Sequence, residues 1–505
     1  MSDTLGKAIK LTIFGESHGQ AVGAVLEGLP PGLKVDMEYI EAELERRRPL
    51  KSLKSARREA DIPEFVSGVR NGFTEGTPLT VLMRNSDVRR EDYDSLQTLA
   101  RPSHADLTAQ AKYLGYQDAS GGGHFSGRLT APIVAAGAIL KKALEDKGIH
   151  INTRVKKIAG SSEWPDETET AKALEKAAAE GDSLGGLLET EISGLKAGLG
   201  EPWADGLEGE LAAAVFAVPA VKGVEFGAGF ALADMKGSKA NDAFISYKNG
   251  RAETLTNNSG GINGGISNGM PIVMRTVLRP TPSIGKAQQT VDILTGEQKT
   301  LKISGRHDPC IALRACPVID AVCALVIADL FARRFGYLSL MPGADKDKNI
   351  VLIGMPSSGK TESGKVLARL LGRPLIDMDS VLESVFGITI AEYFEKYGEA
   401  AFRKEESRLA KSLAGTCGCV ISTGGGIIKD PKNMEALAEN GIIVWLNRPL
   451  ELLKPSEKTP LSCTDEDMQT IFAERLPLYE RYAGITVDAS GTAQKTAESI
   501  AELLR

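Results

Sequence analysis

Four consecutive apolar residues, Ile350–Ile353, three of them β-branched, make the sharpest break in the polar and apolar pattern of this chain and predict a buried strand. Small polar residues follow, and a helical period over Glu362–Leu371 then stops at Gly372. The C-terminal third goes on in short runs. Pro374–Asp379 reads as a strand that would project Asp377 and Asp379 to one face. Glu399–Leu413 reads as a helix with Arg403 and Glu406 on one side, at i and i+3. A strand from Val420 ends in Gly424-Gly-Gly426, and Ile442–Leu446 and Ile485–Val487 read as further strands.

The first two thirds show a looser pattern. Leu11–Phe14 and Ala21–Leu26 predict strands, and Asp36–Arg48 predicts a helix closed by Pro49. Arg101–Asp106 opens a helix that runs through Leu114, and Gly121–Arg128 opens another over Leu129–Leu144. Gly148–Glu180 reads as a peripheral excursion containing a helix, Glu167–Glu180. Trp203–Ala217 is helical in pattern, with Ala217–Val224 as a link. Asn257–Gly269 is the most loop-like stretch; it is either a flexible linker or, given Ile262 and Ile266, ordered backbone lying close to something flat or phosphorylated. A strand at Ile272–Leu278 and a long helix at Val318–Phe335 complete this part. Met341–Lys348, rich in charge and interrupted by Pro and Gly, reads as a linker. The expected domains are 1–340 and 349–505.

Composition narrows the classes. A net charge of −6 argues against a nucleic-acid binder, while leaving room for local basic pockets. One such cluster is Arg46–Arg48 with Lys51, Lys54, Arg57 and Arg58. It is either a solvated face or a funnel for a polyanionic small molecule, held by bidentate guanidiniums. Six cysteines without zinc-type pairs suggest reduced thiols, Cys417-x-Cys419 being too close for a metal or redox motif. The N-terminus lacks a targeting pattern, and the longest apolar run, Pro317–Phe331, carries Asp320 and Asp329, so a cytoplasmic protein is expected.

The chemistry-bearing residues gather in motifs. Gly354-x4-Gly359-Lys360-Thr361, between strand and helix, has the full spacing of a phosphate loop. Glycines let backbone N–H groups wrap phosphates, the helix N-terminus adds a favourable dipole, Lys360 supplies charge and Thr361 a hydroxyl for Mg²⁺. Of Asp377 and Asp379, one can serve the metal and the other a substrate hydroxyl. The chain has five histidines, and His18, His104, His124 and His307 each lie beside Gly, Ser or Asp. With arginines close by, they suit proton transfer near an anion better than metal binding.

Across residues 5–340 the segments G-E-S-H-G, R-P-x-H-A-D, G-G-G-x-F-S-G-R, G-G-I-x-G-G-I-S-N-G, P-T-P-S and G-R-H-D-P follow one another in the order found in chorismate synthases, which this part resembles. The resemblance implies an α+β domain that eliminates phosphate from 5-enolpyruvylshikimate 3-phosphate with reduced FMN. It implies that His18 assists the departing phosphate, His104 protonates the reduced flavin and Asp308 helps move the flavin proton. Arg47, Arg128 and Arg314 become candidates for the substrate anions. FMN is expected around His124, Phe125 and Ser126, Lys239 and Ala240, Gly264, Arg279, Pro280, Thr281, Pro282 and Ser283, and Arg306. The chain departs from the family pattern at His124–Arg128 (commonly R-S-S-A-R), at Arg279 (commonly Lys) and at Leu53 (often Arg, a nicotinamide contact). Reduced flavin is therefore expected from an external reductase. A homo-oligomer, a tetramer through this domain, is also expected.

Residues 349–505 resemble shikimate kinase through the phosphate loop, D-x-D, F-R-x2-E, T-G-G-G and R-x-P-x-Y. The resemblance implies an α/β fold of the P-loop NTPase type with a parallel sheet. ATP would lie against Gly354, Ser357, Ser358, Gly359, Lys360, Thr361 and Glu362, with Thr361 and Asp377 at Mg²⁺. Asp379, Arg403, Gly424, Gly425, Gly426 and Arg475 would hold shikimate, with Lys360 and Asp379 catalytic. The lid, Leu453–Thr464, is short and has Thr459 where the family carries an arginine, with Lys454 and Lys458 as candidate substitutes. The expected function is a bifunctional enzyme of the aromatic pathway. The alternative is an active chorismate synthase carrying a nucleotide-binding but impaired kinase-like module.

Overall fold

Leu79, Val81 and Met83 point one way along Leu79–Arg84 and are fully buried, because alternate positions of a strand share a face. This strand sits inside an antiparallel five-stranded sheet, ordered Thr4–Leu5, Lys10–Gly15, Ala21–Glu27, Leu79–Arg84, Glu64–Ser67. A second antiparallel sheet runs Val221–Phe226, Ile272–Leu278, Gly186–Ser193, His150–Ile158. The computed structural model describes residues 3–48, 60–86, 98–248, 251–303, 308–341, 348–414, 416, 418–453 and 465–504. The chain divides into two compact units, Met1–Arg333 and Arg334–Arg505.

The core of the first unit is built on two helices, Thr130–Glu145 and Ala312–Phe335. They cross so closely that a Cβ on Gly137 would lie 2.4 Å from that of Ala321. Ala312–Phe335 is long and apolar enough to cross a membrane, yet it is a buried core helix. Its two acids explain how. Asp320 meets Lys141 at 3.1 Å and Arg46 at 2.8 Å, and Asp329 accepts the backbone N–H groups of Lys7, Ala8 and Ile9 at 3.0, 2.6 and 2.8 Å. Buried carboxylates are tolerated when paired or hydrogen-bonded in this way.

Two expectations are corrected here, and a third stretch takes the ordered one of its two alternatives. Gly148–Glu180 is not peripheral: His150–Ile158 is a sheet strand whose inward positions include Ile151, Ile158 and Thr153, the last bonded to Thr190 at 2.8 Å. The expected link Ala217–Val224 runs into the edge strand Val221–Phe226. The loop-like Asn257–Gly269 contains a tight hairpin, Ile262–Asn263 against Ile266–Ser267, turned by Gly264 and Gly265 at φ of 62° and 84°.

The second unit is a parallel sheet ordered Leu375–Asp377, Val420–Ser422, Asn349–Ile353, Gly441–Asn447, Ile485–Asp488, as the α/β expectation requires. One detail differs. The strand ends at Asp377, whose side chain caps the next helix, Met378–Phe386, by accepting the Ser380 N–H at 3.0 Å. Asp379 therefore lies in the first turn of a helix and does not share a strand face with Asp377. Lys51, Leu53, Lys54, Arg57, Arg58, Arg306, His307, Cys417, most of the expected linker, and lid residues 454–464 with Lys454, Lys458 and Thr459 lie outside the described residues.

Candidate active sites

In the first unit, His18 follows the strand Lys10–Gly15 and is buried, with Nδ1 2.9 Å from the Ser17 hydroxyl. Its ring lies against Gly121, where a Cβ would come within 2.3 Å of His18 Cε1. Only glycine fits there, and its φ of 64° suits glycine as well. The Gly121 carbonyl accepts Nη2 of Arg101 at 2.6 Å. Arg101 forks onto Asp106 at 2.8 and 2.7 Å, and Asp106 meets His104 Nδ1 at 2.6 Å. Burial works to raise the Asp106 carboxyl, but the hydrogen bonds from Arg101 and His104 outweigh it and hold it well below the usual carboxylate range. His18 and His104 are thus joined through Gly121, Arg101 and Asp106.

The arginines form an adjoining set. Arg47 Nη1 meets Asp61 at 3.0 Å, Nη2 donates to the Gly127 carbonyl at 2.7 Å and Nε to Thr130 at 3.0 Å. Arg128 also pairs with Asp61, and its Nε donates to Asn85 at 3.0 Å. Asn85 donates in turn to the carbonyls of Glu16 and Gly19, on either side of His18. Arg314 donates to the Arg47 carbonyl at 2.9 Å and to Asp308 at 3.1 Å. Burial pushes the Arg47 guanidinium down to about 9, with Arg314 acting in the same direction and Asp61 against it.

The candidate flavin residues fall into separate groups. His124 meets the Gly15 carbonyl at 2.9 Å and Asp3 at 3.4 Å, Phe125 lies edge-on to Tyr113, and Ser126 accepts the Arg128 N–H. Arg279 leaves the end of Ile272–Leu278 and donates to the Ser103 carbonyl, beside His104. In Pro280–Ser283, the Thr281 carbonyl accepts from Ser183 and the Pro282 carbonyl from Gln288. Lys239 and Ala240 belong to another set of bonds, their carbonyls accepting from Asn258, and Gly264 is exposed at its hairpin turn. Among the described residues, Arg279 Nε and Thr281 Oγ1 are buried without a hydrogen-bond partner. Such orphaned donors suit a polar ligand like a flavin phosphate or ring edge.

In the second unit the phosphate loop closes on itself. Lys360 is buried and donates to the Gly354 and Met355 carbonyls at 3.0 and 2.8 Å, while Ser357 and Gly359 take φ of 63° and 88°. Burial pushes the Lys360 amine down to about 8, against the upward pull of Asp379. Thr361 donates to Asp377 at 2.6 Å, which puts a hydroxyl and a carboxylate together for a hard cation. Burial raises Asp379 to about 6, against the pull of Lys360. Glu362 is exposed in the first helical turn. Gly424–Gly426 is the floor: a Cβ on Gly424 would stand 2.9 Å from Asp379 Oδ1, and one on Gly426 2.4 Å from both terminal nitrogens of Arg403. Arg475 donates to the Gly425 carbonyl at 2.7 Å. Ser358 Oγ and Arg475 Nε are buried and unpartnered among the described residues, so the loop and its floor fit phosphate and polar ligands.

The chorismate synthase family model matches residues 9–332. A chorismate synthase of Thermococcus gammatolerans is 47% identical over 347 residues, covering 65% of this chain and 97% of that protein. The chain belongs to the chorismate synthase family. A crystal structure of a chorismate synthase, 28% identical, covers 66% of this chain and 94% of that one at a TM-score of 0.51. Residues 356–505 match the shikimate kinase family model. Shikimate kinase from Acinetobacter baumannii, solved in complex with shikimate, is 34% identical, covering 32% of this chain and 94% of that one at a TM-score of 0.31. A lyase family and a transferase family therefore share one polypeptide.

Sequence reasoning left several residues of the chorismate synthase unit without a role. Asp61, Asn85, Arg101 and Asp106 tie its histidines and arginines together, and Glu406 does the same for Arg403 in the kinase unit, at 2.7 Å. Arg101 and Asp106 were visible inside R-P-x-H-A-D. Asp61 carried one signal only, an acid following a run of bases.

Proposed function

We propose that this bifunctional shikimate-pathway chain catalyses both reactions: loss of phosphate and a ring proton from 5-enolpyruvylshikimate 3-phosphate, and phosphorylation of the shikimate 3-hydroxyl by ATP. The supporting observation is that the described catalytic candidates of each family lie together in one unit: His18, His104 and Asp308 within the bonded histidine and arginine sets, and Lys360 and Asp379 close enough to pull on each other's charge beside the glycine floor.

In the first reaction, Arg47, Arg128 and Arg314 hold the carboxylates and phosphate of the substrate by charge-assisted bonds. His18, fixed between Ser17 and Gly121, holds a proton for the leaving phosphate. His104, its Nδ1 engaged by Asp106, presents Nε2 as its proton-carrying atom, and Asp308 is steadied by Arg314. Arg279, Thr281 and His124–Ser126 would hold FMN, which in its reduced form supplies electron density for loss of the anionic leaving group.

In the second reaction, Arg403 takes the shikimate carboxylate and Arg475 and Gly424–Gly426 seat the ring. Asp379 accepts the proton of the attacking hydroxyl, and Lys360 trades its two loop carbonyls for phosphate oxygens. Thr361 and Asp377 would hold Mg²⁺, which neutralises phosphate charge when bound.

Both assays on the purified chain test this. Chorismate should form anaerobically with dithionite-reduced FMN and not with oxidised FMN, and ADP should be released only when shikimate is present. Equal turnover with oxidised flavin overturns the first half. Binding of ATP and shikimate without ADP above background makes the second unit a binding module.

A further inference from the structure

Asp61 has no part in the chemistry above, yet it occupies the centre of the arginine set. Its carboxylate is buried, with Oδ2 on Arg47 Nη1 at 3.0 Å and Oδ1 on Arg128 Nη1. Its backbone φ of 49° lies in the left-handed region, uncommon for non-glycine residues though more accessible to Asp than to most. Among the described residues, the other bonds of the two guanidiniums go to neutral acceptors: Thr130, the Gly127 carbonyl, Asn85 and the Arg84 carbonyl. The third arginine, Arg314, has its own carboxylate in Asp308. Among the described residues, Asp61 is thus the carboxylate that two buried guanidiniums share.

Two uncompensated guanidiniums at one buried point would form a strong phosphate trap, because their forks match phosphate oxygens. The reaction proposed above releases inorganic phosphate. The substrate has two carboxylates besides its phosphate to hold it, whereas free phosphate relies mainly on the guanidiniums. A carboxylate attached to the chain competes at a fixed, high effective concentration. We propose that Asp61 is a positioning residue acting as a resident counter-anion: it keeps the Arg47 and Arg128 forks convergent in the empty site and weakens the hold on inorganic phosphate. The inference rests on the assignment of those arginines to substrate anions.

The test uses the full chain, with inorganic phosphate as the probe. Inhibition of chorismate formation by phosphate and the rise in Tm that phosphate causes are measured for the native chain, Asp61→Asn, Asp61→Ala and Asp61→Glu. Asp61→Asn should lower kcat and tighten phosphate inhibition by about ten- to a hundredfold, the size of a charged hydrogen bond. Phosphate should raise its Tm by more than it raises that of the native chain. Added formate should restore native behaviour to Asp61→Ala. A purely structural residue would lose activity in all variants with phosphate affinity unchanged or weaker, and that result overturns the proposal. If Asp61→Asn does not fold, Asp61→Glu decides: displaced by a methylene, its carboxylate should leave phosphate several-fold tighter, and native inhibition overturns the idea. Arg128→Gln separates the underlying assignment. If it alters neither the substrate KM nor phosphate inhibition, the arginine assignment has failed. If it weakens both while Asp61→Asn does not tighten phosphate, only the role of Asp61 has.

Discussion

Burial moves Asp379 and Lys360 towards neutral pH against their mutual pull, and both shifts are measurable. Burial raises Asp379 to about 6, so the carboxyl is neutral below that pH and charged above it. As the proposed base it must be charged, so kcat/KM for shikimate should climb as pH rises through about 6 and level off. Asp379→Asn should abolish that limb and cost about 10²–10⁴ in kcat. Because the folded value lies above the unfolded one, ionising Asp379 destabilises the ligand-free chain at neutral pH, and the Tm of Asp379→Asn at pH 7 should be higher. Lys360, pushed down to about 8, loses its proton in part near pH 8.5 in the empty loop. ATP should restore it, and calorimetry in buffers of different ionisation enthalpy should read net proton uptake there. Absence of uptake would contradict the buried geometry of Lys360. The phosphate-loop residues were readable because strand, loop and helix are contiguous. Asp61 was not, since its partners lie 14 residues before it and 67 after it, and only folding brings them to one carboxylate.

Among the elements, the glycine-rich turns carry the most consequence. Gly121→Ala would drive a methyl into the His18 ring and strain a φ of 64°, so chorismate formation should fall while ADP release from the other unit is unchanged. Gly426→Ala should displace the Arg403 guanidinium and raise the KM for shikimate, as Arg403→Ala should by about ten- to a hundredfold, with the KM for ATP nearly unaltered. Loss of ATP affinity with intact shikimate binding would show that Arg403 is misassigned. The strands of the second unit were legible as continuous apolar runs, the mark of a sheet buried on both faces. His150–Ile158 escaped because Thr153 fills an inward slot and reaches its partner Thr190 through a hydroxyl. Asp379 was put on a strand because the sequence does not announce that Asp377 turns away to cap a helix.

At the scale of the whole molecule, each proposed site belongs to one unit, so the activities should be separable. Lys360→Ala should abolish ADP release and leave chorismate formation intact, and His18→Ala should lower chorismate formation by about 10²–10⁴ and leave the kinase intact. The order of the sequence also sets a clock. The N-terminal segment Lys7–Ile9 is fastened by Asp329, 320 to 322 residues further on. At about 5–20 residues per second, the ribosome needs on the order of 20 to 60 s to deliver that carboxylate. Until then the first sheet lacks its buckle and the long core helix Ala312–Phe335 is still unmade, so the nascent chain waits for nearly the whole first unit before it can close.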